Sequence, residues 1–309
     1  MTHIVVVGSL NMDLVAVAPR LPLPGETLTG LEYLNVPGGK GANQAYAAAR
    51  LGGRVSMLGR VGSDEHGKVM KANLDAVGCN TDHVRITEGA SGVALIFVAA
   101  TGENSIVVIP GANDRYSVDG LLSDESAMAG TKYVLLQLET PMPTVAAAAR
   151  AAKKCGACVI LDPAPAPQTL SADLLQFVDI LTPNETEAAR LAGVEARDLT
   201  PPQAAAIARQ LRERMRGSVI LKLGAQGCLV SSDAETTLIP APRVEAIDTT
   251  AAGDVFNAAL AVALTEGADM MEACRFAVCA SALSVTRIGA QRSAPAREEV
   301  DAFIDNIES

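Results

Sequence analysis

An α/β domain with a mostly parallel central sheet and helices on both faces is the fold class this sequence predicts. Three observations carry that reading. Strand-like apolar runs alternate with Ala-rich helical runs along most of the 309 residues, and such alternation marks a parallel sheet with crossover helices. Hydrophobic residues make up 49% of the chain but aromatics only 3%, with no Trp. Ala, Val and Leu must therefore fill a core in which helices lie close against the sheet. Several helical runs end at a glycine where the chain has to turn, as at Gly52, Gly78 and Gly267.

Ile4–Gly8 opens the series as the first strand, and Gly41–Leu51 is the first helix. Val55–Gly59 and helix Gly67–Ala76 form the next pair. Tyr133–Gln137 with helix Pro143–Lys154, then Cys158–Asp162, then Ile180–Thr182 with helix Glu185–Ala192 continue the alternation. Helix Pro202–Arg214 leads into strand Ser218–Leu223, and the helices Gly253–Glu266 and Met270–Val285 follow. Two segments break the pattern. Leu21–Val36, with Pro22, Pro24 and Gly25, has no helical periodicity, and Gly92–Ala99 and Ser105–Ile109 are apolar strands joined across Ala100–Asn104, a hairpin-type turn. Residues 14–37 and 91–110 are expected to form a small antiparallel sheet inserted into a single domain of residues 1–309. Set over the C-terminal strand ends, it would make a lid that excludes water.

The formal net charge of −10 argues against nucleic acid, whose binding calls for a phosphate-neutralising basic face. It leaves room for a small anionic ligand at a local positive site. No apolar run reaches the roughly 18 residues of a membrane span. The strand Ile4–Gly8 starts almost at once, with neither the basic region nor the cleavage site of a secretory signal, so a cytoplasmic protein is expected. Six scattered cysteines fit a reducing compartment. Cys155 and Cys158 match C-x-x-C, yet they close a helical run instead of opening one, and no second pair completes a zinc site. They read as core or junction residues, as do Cys79, Cys228, Cys274 and Cys279, and His3, His66 and His83 lack ligand spacing.

Three short motifs carry chemistry. Asp248-Thr249-Thr250-Ala251-Ala252-Gly253-Asp254 runs straight into a long apolar helix. First-turn N–H groups have no partner within a helix, and the helix dipole is positive there, so this turn suits an anion. Asp254 beside it is placed to take a proton from a hydroxyl that attacks a phosphate, although an acidic first turn is common in helices of every function. Gly38-Gly39-Lys40-Gly41-Ala42-Asn43-Gln44 precedes the first helix. Its glycines let a ligand approach the backbone, and Lys40 and Asn43 add polar groups, but the spacing is not that of a Walker A loop. Gly8-Ser9-Leu10-Asn11-Met12-Asp13 leaves the first strand at the end where parallel sheets bind ligands. Asn11 and Asp13, expected on a loop, suit the adjacent hydroxyls of a sugar.

Gly38–Asn43 and Asp248–Asp254, more than 200 residues apart, resemble the two signatures of ribokinase-type (phosphofructokinase-B) carbohydrate kinases. The resemblance covers essentially the whole chain. Gly8–Leu14, Pro24–Thr27, Gly38–Ala45, Gln137–Glu139, Thr182–Glu187 and Thr286–Gln291 are, in that order, similar to the ribose-phosphorylating members. It implies a ribokinase-like fold and ATP-dependent phosphorylation of D-ribose at O5. Asp254 would be the base, with Ala251, Ala252 and Gly253 supplying N–H groups to the transferring phosphoryl group. Asn11, Asp13, Gly39, Lys40, Asn43 and Glu139 would hold the sugar. Asn184 and Glu187 match an Asn-x-x-Glu element that organises Mg²⁺ and phosphate, Glu187 through water, although a capped helix start explains the same residues. Lys222, Gly224 and Gly227 match the nucleotide-binding strand and turn, and the helix around Ala277–Ala280 would help line the adenine pocket. Activating K⁺ would lie among Asp248, Thr250, Ser284, Arg287, Gly289 and Ser293, mostly through backbone carbonyls. The family further implies a homodimer joined through the lid, with Ala94–Val98 supplying an apolar face. Rival readings are a kinase of the same family acting on 2-deoxyribose, a nucleoside or another small sugar, and a non-catalytic sugar-binding relative. A dinucleotide-dependent oxidoreductase is disfavoured, because no G-x-G-x-x-G follows the first strand.

Overall fold

The first strand, β1 (Ile4–Val7), is followed by β2 (Asn11–Ala18), β3 (Glu32–Gly38) and α1 (Lys40–Arg50). Next come β4 (Val55–Gly62), α2 (Glu65–Ala76), β5 (Asn80–Thr87), β6 (Gly92–Ala99), β7 (Asn104–Ile109) and the short α3 (Val118–Leu122). The middle of the chain holds β8 (Tyr133–Leu136), α4 (Met142–Lys154), β9 (Cys158–Leu161), α5 (Ala172–Leu175), β10 (Ile180–Leu181), α6 (Glu185–Ala192) and α7 (Pro201–Arg212). The last part comprises β11 (Ser218–Lys222), β12 (Cys228–Ser231), β13 (Thr236–Ile239), α8 (Ala252–Glu266), α9 (Met270–Ser284) and α10 (Arg297–Glu308). These elements come from a computed structural model that describes residues 4–195, 199–232 and 235–308.

Nine strands form the main sheet in the order β13-β12-β11-β10-β9-β8-β1-β4-β5. From β11 to β5 every pairing is parallel, and β12 and β13 add an antiparallel edge. β1 reads Ile-Val-Val-Val because both of its faces are covered. Ile4 and Val6 enter one core with α1, α8 and α9, whereas Val5 and Val7 enter the other with α4, α6 and α7. Burying each such side chain contributes about 1.5–3 kcal/mol. Helix α8 is Ala-rich and buried nearly all round because it lies between the sheet, α1 and α9, and its alanines let those elements approach closely. Among the described residues no helix is long and apolar enough to cross a membrane.

A second sheet of four strands, β3-β2-β6-β7, stands apart from the first. The purely antiparallel insert read from the sequence is corrected here. β2–β3 and β6–β7 are antiparallel, but β2 and β6 run parallel in register from Asn11–Gly92 to Ala18–Ala99. The reason is topological: each continues from a main-sheet strand, β1 or β5, and these two point the same way. Asn11 and Asp13 open β2 instead of lying on a loop, so the sheet begins at residue 11, not 14. Polar Asn and Asp are unusual in strands, and that composition hid the start. β5, β12, β13 and α10 were not anticipated either; β5 (NTDHVRIT) is a polar edge strand with little apolar signal.

Candidate active site

The chain leaves β1 in two directions across the sheet, through β4 and β5 on one side and through β8, β9, β10 and β11 on the other. Side chains at the C-terminal ends of parallel strands meet at such a switch point. Gly8 after β1, Gln137 after β8, Asp162 after β9 and Lys222 at the end of β11 occupy it here. A cavity of about 570 Å³ opens there.

On one side of the cavity lie the residues expected to hold a sugar. Gly39 caps α1 with φ 88°, and a Cβ at this position would stand 2.6 Å from the Asn11 nitrogen, so only glycine lets the α1 entrance close on β2. A Cβ on Gly38 would fall 2.1 Å from Asp13 Oδ2; the missing side chain is the space the Asp13 carboxyl occupies. Burial raises the Asp13 pKa to about 7, and the carboxylates of Glu139 and Asp254 push it the same way. Asn11 Oδ1 accepts from Asn113 Nδ2 at 2.8 Å, and the Leu10 N–H donates to Asn113 Oδ1 at 3.0 Å. Glu139 Oε2 accepts from the Ser9 hydroxyl at 2.5 Å and from the Lys40 N–H at 3.0 Å. The Lys40 side chain enters the cavity. Burial works against its charge, but Asp254, Asp162, Glu139 and Glu187 outweigh that and hold it protonated.

Asp254 sits where this side meets the cavity. It is 4% exposed in the first turn of α8. Asn43 Nδ2 donates to Oδ2 and Gln44 Nε2 to Oδ1, each at 3.0 Å. Burial raises its pKa, Lys40 opposes the rise and Asp162 adds to it. A carboxylate of raised pKa, held by two amides, can accept a proton from a hydroxyl. Two further amides stand behind it: Gln137 Nε2 donates to Gln44 Oε1 at 2.6 Å, and Gln291 Nε2 to Asn43 Oδ1 at 3.2 Å.

The turn before Asp254 is bent. Ala251 has φ 59°, a left-handed conformation costly for a residue with a Cβ and typical of strained functional turns. The Ala252 N–H bonds the Thr249 carbonyl at 3.2 Å, so it is partly engaged within the turn, whereas among the described residues the N–H groups of Ala251 and Gly253 have no backbone partner. Lys222 Nζ comes within 3.1 Å of where a Cβ on Gly253 would stand and pairs with Asp162 Oδ1 at 3.0 Å. Gly224, Ala225 and Gly227 line the opposite wall. The apolar end is closed by Ala241, Ala246, Phe256, Val278, Ala282 and Val285. Helix α9 therefore turns Val278 and Ala282 toward the cavity, while Ala277 and Ala280, singled out in the sequence, are fully buried in the core.

Asn184 caps α6 in a reciprocal pair: Glu187 N–H donates to Asn184 Oδ1 and Asn184 N–H to Glu187 Oε2, both at 2.8 Å. Burial and Asp162 raise the Glu187 pKa, a strain that a nearby cation would relieve. One carboxylate lining the cavity fits Mg²⁺, which retains waters and phosphate oxygens as ligands. Among the described residues no three acidic, His or Cys side chains form a direct metal cluster. Asp248 accepts from the Thr250 N–H at 2.9 Å and the Gly289 N–H at 2.8 Å. Burial works against its charge, but these bonds hold its pKa below the ordinary value. The same carboxylate thus joins the two segments that carry Thr250, Gly289 and Ser293, which fits a monovalent cation held by oxygens there. Ser284 and Ser293 donate their hydroxyls to Ser281 and Ala290 carbonyls, and the Arg287 guanidinium pairs with Glu299, leaving only their oxygens for such a role.

Residues that sequence reasoning did not assign to the site are Ser9, Gln44, Asn113, Gln137, Asp162 and Gln291. Gln44 and Gln137 lie inside recognisable motifs, and Asp162 ends a strand at the right edge of the sheet. Nothing local marks Asn113.

A model of the pfkB family of carbohydrate kinases matches residues 1–297. A ribokinase of Haemophilus influenzae is 45% identical over 302 residues, covering 97% of this chain and 98% of that protein. A Bacillus subtilis ribokinase is 42% identical over 305 residues, covering 98% of this chain and all of that one (100%). The structure of Arabidopsis thaliana ribokinase complexed with ribose and ATP superposes with a TM-score of 0.89 at 36% identity, over 98% of this chain and 99% of that one.

Proposed function

The chain belongs to the pfkB family of carbohydrate kinases, and within it we propose that this protein transfers the γ-phosphoryl group of ATP to O5 of D-ribose, giving ribose 5-phosphate. The observation that carries the reading is the buried Asp254 carboxylate, aligned by Asn43 and Gln44 on the wall of a cavity of about 570 Å³. The full-length similarity to ribokinases, one of them with ribose and ATP bound, supports the substrates.

Asn11, Asp13, Gly39, Lys40, Asn43 and Glu139 hold the sugar so that its primary hydroxyl faces Asp254. Asp254 takes the hydroxyl proton as O5 attacks, and positioning supplies much of the acceleration. Ala251, Ala252 and Gly253 stabilise the transferring group through backbone N–H groups, Ala252 at the cost of its weak turn bond. Lys40 adds fixed positive charge beside the reacting centre. Asn184, Lys222, Gly224 and Gly227 bind the nucleotide. Glu187, through water, would hold Mg²⁺, whose charge would neutralise the phosphates. K⁺ near Asp248, Thr250, Ser284, Arg287, Gly289 and Ser293 would order the anion-binding turn.

The second sheet acts as a lid over the sugar, within a single domain of residues 1–309. The lid carries exposed apolar side chains, among them Phe97, Ile106 and Val108, which supports pairing of two lids in a homodimer. The reaction is assigned to the cytoplasm, where ATP is supplied and where the six cysteines, none of them in a disulfide, stay reduced. The test is ATP-dependent phosphorylation of D-ribose beside 2-deoxyribose, fructose and adenosine. Preference for ribose is expected; preference for another acceptor would keep Asp254 and move the specificity, and no turnover on any would favour a sugar-binding relative.

A further inference from the structure

We propose that Asp162 is a positioning residue that couples the nucleotide side of the site to the base. The proposal rests on the ATP-kinase reading above. Asp162 is 2% exposed at the C-terminal end of β9. One of its oxygens accepts from Lys222 Nζ at 3.0 Å and the other from Gln44 Nε2 at 3.3 Å. The same Gln44 nitrogen donates to Asp254 Oδ1 at 3.0 Å. The orientation of the Gln44 amide is set from behind, because its oxygen accepts from Gln137 Nε2 at 2.6 Å. Lys222, Asp162, Gln44 and Asp254 thereby form an unbroken polar chain from β11 to the first turn of α8.

Each link has a physical task. Lysine has a flexible four-carbon stem, and without an anchor its ammonium samples many rotamers. Asp162 holds it beside Gly253, where the phosphoryl group must pass. An arriving polyphosphate competes with Asp162 for Lys222. As Asp162 loses its cation, it draws harder on the shared Gln44 amide and loosens that amide's hold on Asp254. A carboxylate that loses a hydrogen bond to its charged form becomes a stronger base, so nucleotide arrival prepares Asp254. The charged groups facing Asp254 are Lys40 from α1, Asp13 from β2 and Asp162 from β9; only Asp162 also holds Lys222.

The test combines a double-mutant cycle with two readouts that simple loss of structure would not move. Asp162→Asn keeps the shape and removes the charge. It is expected to bind ATP·Mg²⁺ at least as tightly as wild type, by calorimetry without sugar, while kcat falls about tenfold to a hundredfold from lost positioning. Adding Lys222→Met should then cost less than about twofold in kcat, whereas in wild type the same change costs far more. The acid limb of the pH–rate profile should move to lower pH in Asp162→Asn, because Asp254 loses a neighbouring negative charge. It should move to higher pH in Gln44→Met, because Asp254 loses a donor. The Asp162→Asn/Lys222→Met protein leaves no orphan charge, and Gln44→Met probes the chain without touching either ion, so a poorly folded single variant does not block the test. ATP affinity that falls in step with kcat, an additive cycle, or limbs that do not move apart would overturn the proposal. Failure of the wild-type protein to bind ATP would instead overturn the kinase reading itself.

Discussion

Replacing Asp13 with Asn is expected to stabilise the ligand-free protein at and above neutral pH while it weakens sugar binding. The Asp13 carboxyl is raised by burial, and then by Glu139 and Asp254, from 3.8 to about 7. In the unfolded chain it titrates at its ordinary value. The folded protein therefore holds this proton more tightly by about three pH units, equivalent to roughly 4 kcal/mol. That advantage is fully present below the unfolded value of 3.8 and is lost as pH rises through the folded value of about 7, because folding then confines a buried anion. Asn carries no such charge. The variant should match wild type near pH 4, gain on it between pH 4 and 7, and keep a constant lead above. Asp13 is partly exposed, and water that reaches it screens the penalty, so about 2 kcal/mol is the expected lead. For a chain of this size that is about 3 °C in Tm. Thermal unfolding of both proteins from pH 5 to 8.5, without sugar, measures it. Parallel Tm curves across that range would refute the assignment of a raised pKa to Asp13.

Asp254→Ala should lower kcat by roughly 100- to 10,000-fold in a folded protein, as loss of a general base does, and near-normal turnover would remove Asp254 from that role. In wild type, burial raises the Asp254 pKa and Asp162 raises it further, so kcat/KM should fall on acidification at a pH above that of an ordinary carboxylate. Rates should be higher in K⁺ than in a large inert cation at equal ionic strength; equal rates would exclude an activating cation near Asp248. Light scattering at micromolar concentration should give the mass of a dimer, and a monomer would leave the apolar lid face without the proposed partner.

Much of the fold was legible because strand and helix signals here are strong and local. Ile4–Val7, Tyr133–Leu136 and Cys158–Leu161 are apolar on both faces, and the Ala-rich helices between them follow a steady period. Elements at the periphery were hidden for the converse reason. β5 is an exposed polar edge, and β2 begins with Asn11 and Asp13, so neither has the apolar run that announces a strand. The site divides in the same way. Gly38, Lys40, Asn43, Gly253 and Asp254 stand in motifs whose residue types already imply an anion-binding turn and a sugar contact. Asn113 and Asp162 have no such neighbourhood.

By itself the sequence determined the parallel α/β class and the helix that starts beside Asp254, because periodicity and turn residues are properties of neighbours along the chain, and its resemblance to carbohydrate kinases implied the family of reactions. Only the tertiary structure decided that β2 and β6 run parallel, that Gln44 clamps Asp254 from more than 200 residues away, and that Lys222 is anchored by Asp162. Those outcomes depend on which strand ends meet at the switch of the sheet and on how burial shifts charge between groups that meet there. Hydrogen bonds and low-dielectric electrostatics act through space over a few ångströms, and no local pattern of residues encodes which distant groups come that close.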